Sequence, residues 1–242
     1  MPNSIYVGQN RLLSGLDAAD QARLCPYLKK VPMTRGHLLH PAGSPILHLY
    51  FPERGMVSML TVMRSGEQIE TAIIGNEGVV GGWVAIDATD GNTQSTVQVE
   101  GTAWQISTTK FLEIYRASDP FRSAINAYQS IIMFQAQQSA ACHALHSVES
   151  RFCRWVLLSE DLLGSEQIPL TQEFLSHMLG VQRTSVSLAA HTLQQSGLIE
   201  YRRGKIKIAD RKGLEECACE CYSVIRDRIN RTIPSSRRDG CH

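Results

Sequence analysis

With 242 residues, 24 basic against 23 acidic side chains and 43% hydrophobic content, the chain has room for two modest domains and the composition of a soluble globular protein. No apolar run approaches the ~20 residues of a membrane span, and Met1 to Asn10 lacks the basic and apolar segments of a secretory signal, so a cytoplasmic protein is expected. The near-neutral total hides a division: residues 1–150 hold 10 Lys and Arg against 12 Asp and Glu, whereas residues 171–242 hold 12 against 8, which puts basic charge where a polyanion would be met.

In chain order, a short helix is expected at Asp17 to Cys25. From about Val31 to Ser107 short apolar pieces (Ile46 to Phe51, Met56 to Met63, Ile69 to Ile74, Thr96 to Ile106) alternate with turn residues at Gly36, Pro41-Ala42-Gly43, Pro52, Ser65-Gly66, Gly75-Asn76 and Asp90-Gly91-Asn92. Strands at such intervals predict an all-β roll of the small jelly-roll kind, and residues 1–118 are assigned to it as a sensor domain.

Between Pro120 and about His146 there is no Gly or Pro, and one helix of roughly 40 Å follows from a rise of ~1.5 Å per residue. Ile125, Tyr128, Ile132, Gln135, Ser139, Cys142 and His146 recur at alternating spacings of three and four, the pattern of a seam between two helices. Residues 119–146 are therefore expected to be a dimerisation helix. A helix lying on its own barrel accounts equally for Phe121, Ala124 and Ile131. A second helix spans Val148 to Leu163, stops at Gly164, and is followed by a polar stretch from Ser165 to Pro169.

The most specific pattern lies between Leu170 and Ile208. Thr171 is suited to cap a helix whose buried face is Phe174, Leu175, Met178 and Leu179, and Gly180 is suited to end it where φ turns positive. After Val181-Gln182 a second helix starts at Arg183 and is stopped by Gly197. Its Val186, Ala189, Ala190 and Leu193 fall on one side, and Thr184, Ser187, Leu188 and His191 on the other. A polar but nearly uncharged outer face suits an approach to base edges, and the leading residues of such a helix are those that enter the major groove. Arg183 is the foremost base-reading candidate, through two hydrogen bonds to guanine O6 and N7. Leu198 to Tyr201 and Lys205 to Ile208 flank Arg202-Arg203-Gly204 as a hairpin wing, with Arg202, Arg203 and Lys205 placed for backbone phosphates. The expected DNA-contacting set is Thr171, Gln182, Arg183, Thr184, Ser185, Ser187, Leu188, His191, Arg202, Arg203 and Lys205.

From Val148-Glu149-Ser150-Arg151-Phe152-Cys153-Arg154-Trp155-Val156-Leu157 through the helix pair and wing, with the glycine-punctuated β segment before it, the chain resembles the Crp/Fnr superfamily of bacterial transcription regulators. The resemblance implies an α+β chain: an N-terminal cyclic-nucleotide-binding-like β-roll, a long dimerisation helix, and a C-terminal winged helix-turn-helix domain over residues 147–242. It also implies a homodimer on a two-fold-symmetric promoter site of double-stranded DNA, with RNA polymerase as a further partner. Members that bind cyclic AMP hold the ribose with a Gly-Glu pair and the cyclic phosphate with an Arg-Ser or Arg-Thr pair. Here Gly82 stands at the glutamate and Gln94 at the arginine, and a buried phosphate without a cation is costly. An unknown small-molecule effector other than cyclic AMP, or none, is expected. The recognition helix also departs, with Arg183, Thr184 and Leu188 where those members carry Arg, Glu and a second Arg, so a different target sequence is expected.

Seven cysteines at irregular positions argue for free thiols. Only Cys25 precedes residue 142, which argues against the amino-terminal iron–sulfur cluster of oxygen-sensing relatives. Cys217, Cys219 and Cys221 are read as buried residues of one helix, on which only Cys217 and Cys221 share a face. His37, His40 and His48 with Glu53 raise the alternative of a cupin-like metal enzyme, but strand alternation puts His37 and His40 on opposite faces. No catalytic residue, cofactor or metal ligand is assigned, and no enzyme activity is expected.

Overall fold

The structure is a computed structural model, and it describes residues 8–86, 93–164 and 167–233. The turn expected at Asp90-Gly91-Asn92, the start of the polar stretch at Ser165 and Cys241 lie outside these residues.

The amino-terminal part is a β-roll. Two short helices, α1 (Arg11–Ser14) and α2 (Ala18–Leu24), precede strands β1 (Lys29–Met33), β2 (Leu38–His40), β3 (His48–Val62), β4 (Gln68–Ile74) and β5 (Gln94–Ser107). Every pairing is antiparallel, in the order β1-β5-β3-β4 with β2 also on β5. The two segments read as separate strands on either side of Pro52 are a single strand, because the register shifts between Pro52 and Val57 absorb the proline and an extra residue without ending the ladder. Gly55 turns that bulge at φ +89°, and a Cβ on it would lie 2.5 Å from the Val99 carbonyl oxygen. Only glycine permits both the angle and the approach.

After α3 (Thr108–Ala117), Ser118 caps the 27-residue α4 (Asp119–Leu145): its Oγ accepts from the Phe121 amide and donates to Asp20. The sequence placed the partner-facing seam of this helix at Ile125, Tyr128, Ile132, Gln135, Ser139, Cys142 and His146; the structure turns that seam inward. The first six are buried within the protomer, and Gln135 bonds both the N–H (3.2 Å) and the C=O (3.3 Å) of Ile73, satisfying backbone groups of the edge strand β4. A spacing of three and four identifies a packed stripe but not what packs on it, and β4 claims this one. The face left open carries the same spacing: Asn126, Ser130, Met133, Gln137, Ala140 and Ala144 are all exposed.

Ser147 caps α5 (Val148–Leu163), which Gly164 ends at φ +60°. Then follow β6 (Gln167–Pro169), α6 (Gln172–Leu179), α7 (Arg183–Gln195), β7 (Ile199–Arg202), β8 (Lys205–Ile208), α8 (Arg211–Cys217) and α9 (Cys221–Thr232), which returns along α4. Residues 167–169, within the polar stretch that follows the second helix, pair with β8. The Cys217–Cys221 segment is not one helix: α8 ends at Cys217, Ala218 is extended, and α9 begins at Cys221. Cys217 is exposed, whereas Cys219 and Cys221 are buried. Among the described residues no helix is long and apolar enough to cross a membrane.

A buried polar contact helps lock the carboxy-terminal part onto the roll. Glu70 of β4, buried, accepts from the Trp155 Nε1–H of α5 at 2.8 Å and from the Ser58 hydroxyl at 2.6 Å. Burial pushes its carboxyl up from 4.5 to about 7, against those two hydrogen bonds and the field of Arg154. A raised carboxyl holds its proton in the fold after the unfolded chain has released it, so the associated stability is full below pH 4.5 and lost as pH rises through 7. The loss is on the order of 3 kcal/mol. Glu70→Gln, which copies the neutral carboxyl, is expected to flatten the fall in urea-unfolding stability between pH 5 and pH 8; an unchanged slope would place the titrating group elsewhere.

Candidate nucleic-acid interface

The helix pair is built by its caps. Thr171 Oγ1 accepts from the Phe174 amide at 3.3 Å at the start of α6, and Gly180, at φ +59°, lets the Val181 amide turn back to the Ser176 carbonyl. From α5, Arg151 donates to the Leu179 carbonyl at the end of α6 (2.8 Å) and approaches His143 Nδ1 of α4 at 2.7 Å. A nitrogen facing a guanidinium must accept, and burial together with Arg151 and Arg154 keeps the His143 pKa low. One arginine thus holds the first helix of the pair against α4.

The second helix, α7, buries Val186, Ala189, Ala190 and Leu193 and leaves Gln182, Arg183, Thr184, Leu188 and His191 exposed. Leu188 is 64% exposed on the outer side of the helix. No side chain caps the start of α7, so its first amides stay available to an anion. Ser185 and Ser187 are half-buried, and the Ser187 hydroxyl is engaged by Gln172 Oε1 and the Arg183 carbonyl, each at 3.0 Å. Ser187 therefore ties α7 to α6, and the outward ridge is narrower than the spacing alone implied.

The wing turns through Arg203 and Gly204 at φ +50° and +73°. Two left-handed residues in succession make the two-residue turn whose twist matches a hairpin, although the left-handed form is unfavourable by roughly 1–2 kcal/mol for a residue with a Cβ. Arg202, Arg203 and Lys205 are exposed around it. Three contacts that sequence reasoning missed fix this wing against the helices: Leu170 N–H to the Gly204 carbonyl (2.6 Å), Tyr201 hydroxyl to the Leu170 carbonyl (3.1 Å) and Tyr201 N–H to Gln194 Oε1 (3.1 Å). Between wing and helices lies a cleft of about 350 Å³ lined by Thr171, Gln172, Arg183, Tyr201, Arg203 and Gly204. Burial raises the pKa of Tyr201 while the nearby charge of Arg183 opposes it.

Residues 150–217 match the family of the Crp-like helix-turn-helix domain. The chain carries a Crp-like helix-turn-helix domain. No curated protein sequence matches the chain. Its fold resembles FixK2 from Bradyrhizobium japonicum (12% identity, 79% of this chain and 98% of that one, TM-score 0.69) and the c-di-GMP-responsive global regulator CLP of Xanthomonas campestris (16%, 80% and 100%, 0.67). A third is the CRP-family transcriptional regulator TTHB099 of Thermus thermophilus (17%, 78% and 96%, 0.65). The Crp-like domain thus includes α5, the Arg151 anchor, both helices of the pair and the wing.

The remaining candidates are accounted for locally. His40 Nε2 lies 2.8 Å from the His48 carbonyl and its ring leans on Tyr50, while Glu53 pairs with Lys30 at 2.6 Å. These pairings do not favour the cupin alternative. Glu77 accepts two bonds from the Gly75 amide (3.1 and 3.0 Å) and one from Tyr128 (3.5 Å), so it braces a turn. Gln94 donates to Thr96 at 3.1 Å. The thiols differ more from expectation: Cys142 and the half-buried His146, read as seam, meet the buried Cys219 and Cys221 at the end of α4.

Proposed function

We propose that this chain is a sequence-specific transcription regulator of the Crp/Fnr type, acting as a homodimer on two-fold-symmetric double-stranded DNA. The observation that carries the reading is the division of α7: Val186, Ala189, Ala190 and Leu193 anchor it, while Arg183, Thr184, Leu188 and His191 face out beside the cationic wing. Arg183 reads a base edge, Thr184 and Leu188 set the neighbouring preference, and Arg202, Arg203 and Lys205 hold phosphates on either side of the groove. Thr171 and Gln182 lie at the helix starts, where amides meet the backbone. RNA polymerase is the partner such a regulator addresses.

Dimerisation is assigned to the open face of α4. Asn126, Ser130, Met133, Gln137, Ala140 and Ala144 provide small and polar side chains at heptad spacing, with Met133 at 53% exposure as the apolar knob. Met133→Glu places like charges across the two-fold axis and is expected to shift the chain from dimer to monomer by at least tenfold in dissociation constant, read by sedimentation equilibrium; an unchanged dimer excludes this face. The function itself is tested by selecting bound duplexes from random sequence with the full chain. Recovered sites should carry two inverted half-sites centred ~34 Å apart. Failure to enrich any sequence would refute the regulator reading.

A further inference from the structure

At the last turn of α4, the sulfurs of Cys142, Cys219 and Cys221 and a ring nitrogen of His146 lie within 4.8 Å of one another. Cys142 and His146 are one helical turn apart, and the other two flank Glu220 in the break between α8 and α9. The three cysteines are buried together. Cys142 and Cys219 sulfurs are 3.5 Å apart, and Cys221 Sγ is 3.6 Å from His146 Nδ1. Four ligands at tetrahedral angles, with Zn–S about 2.3 Å and Zn–N about 2.0–2.1 Å, stand roughly 3.4–3.8 Å from one another. The 3.5 and 3.6 Å separations fit a single ion, and all four ligand atoms lie within 4.8 Å of one another. A cubane cluster would hold its thiolates farther apart, and a disulfide would bring two sulfurs to about 2.05 Å.

The surroundings are those that orient metal ligands. His146 Nε2 faces a Glu220 carboxylate oxygen at 3.2 Å, which fixes the proton on Nε2 and leaves Nδ1 to accept a metal beside the sulfurs. Gln138 Nε2 donates to Cys221 Sγ at 3.0 Å, a bond that a thiolate accepts more strongly than a thiol. Arg154, 5% exposed on α5, supplies positive charge close to Cys142.

We propose that Cys142, His146, Cys219 and Cys221 form a tetrahedral Zn²⁺ site. Three Zn–S bonds and one Zn–N bond form, the thiol protons leave to solvent, and no electron is transferred. All four positions are filled by protein, as in a closed structural site rather than a catalytic one. The ion ties the α8–α9 junction to the end of α4, one residue before Ser147 starts α5, and so braces the joint that carries the helix pair. The assignment does not depend on the DNA-binding reading.

The test uses the full chain, reduced, stripped with a chelator and titrated with Co²⁺ followed by Zn²⁺, with circular dichroism to follow folding. One Co²⁺ per chain is expected, with the strong visible bands of tetrahedral cobalt and the near-ultraviolet sulfur-to-cobalt charge transfer, both removed by one equivalent of Zn²⁺. Cys217→Ser should match the parent, Cys219→Ser should lose the charge-transfer intensity of one thiolate, and Glu220→Gln should weaken Zn²⁺ binding by about 10–100-fold while keeping the spectrum. Glu220 is 71% exposed, so that variant reports on the site even if Cys219→Ser misfolds. The assignment is overturned by weak octahedral cobalt bands, by no saturable binding in the folded reduced chain, or by a Cys142–Cys219 disulfide persisting under reduction.

Discussion

Trp155→Ala is expected to lower unfolding stability by about 3–5 kcal/mol, the range for emptying a buried large aromatic site. Trp155 is the largest of the fully buried side chains, and its Nε1–H is the donor that crosses from α5 to Glu70 of the roll. Alanine removes the indole from a packed interior and leaves the Glu70 oxygen without that donor, two costs that act together. Trp155→Phe separates them: it keeps most of the volume and should lose about 1–2 kcal/mol, the penalty of an unsatisfied acceptor. Urea unfolding at fixed protein concentration measures both. A loss below about 1 kcal/mol for the alanine variant would mean that the joint between roll and helix pair does not close on this side chain.

Arg183→Ala is expected to reduce discrimination at one base pair of each half-site by about 1–3 kcal/mol, roughly 5- to 150-fold, with little change at other positions. The side chain is exposed at the first turn of α7 and lines the cleft shared with Tyr201 and Arg203. Arg202→Ala, on the wing, should behave differently. It should weaken all duplexes about equally and lower the dependence of log affinity on log salt by about 1, as loss of one phosphate contact does. Competition binding with single-base-pair variants of the selected duplex separates the two outcomes. A uniform loss for Arg183→Ala would reassign it to the phosphates and move base reading to Thr184 and Leu188.

How far the sequence reached depended on the range of the interaction. The helix pair was legible because its boundaries are local chemistry: Thr171 caps within three residues, Gly180 and Gly197 take positive φ, and Arg203-Gly204 closes a hairpin between its own flanks. The roll was legible as strands and turns, but Pro52 misled, since the bulge that accommodates it is made with residues about 50 positions away. Periodicity in α4 found the packed stripe and assigned it to the wrong neighbour, because Ile73, which occupies Gln135, lies 62 residues earlier. The thiol group was the least legible. Cys142 and Cys219 are 77 residues apart, and the helix break at Ala218 that lets Cys219 and Cys221 converge carries no Gly or Pro to announce it. Glu70 and Trp155, separated by 85 positions, belong to the same class of contact.

The most direct measurement compares the affinity of the full chain for its selected duplex with that for an unrelated duplex of equal length, at one salt concentration. A helix face that reads base edges should favour the selected site by at least ~10³-fold. Equal affinity for the two would mean that α7 and its wing bind only the charge of the backbone, and the assignment of sequence-specific recognition would be contradicted.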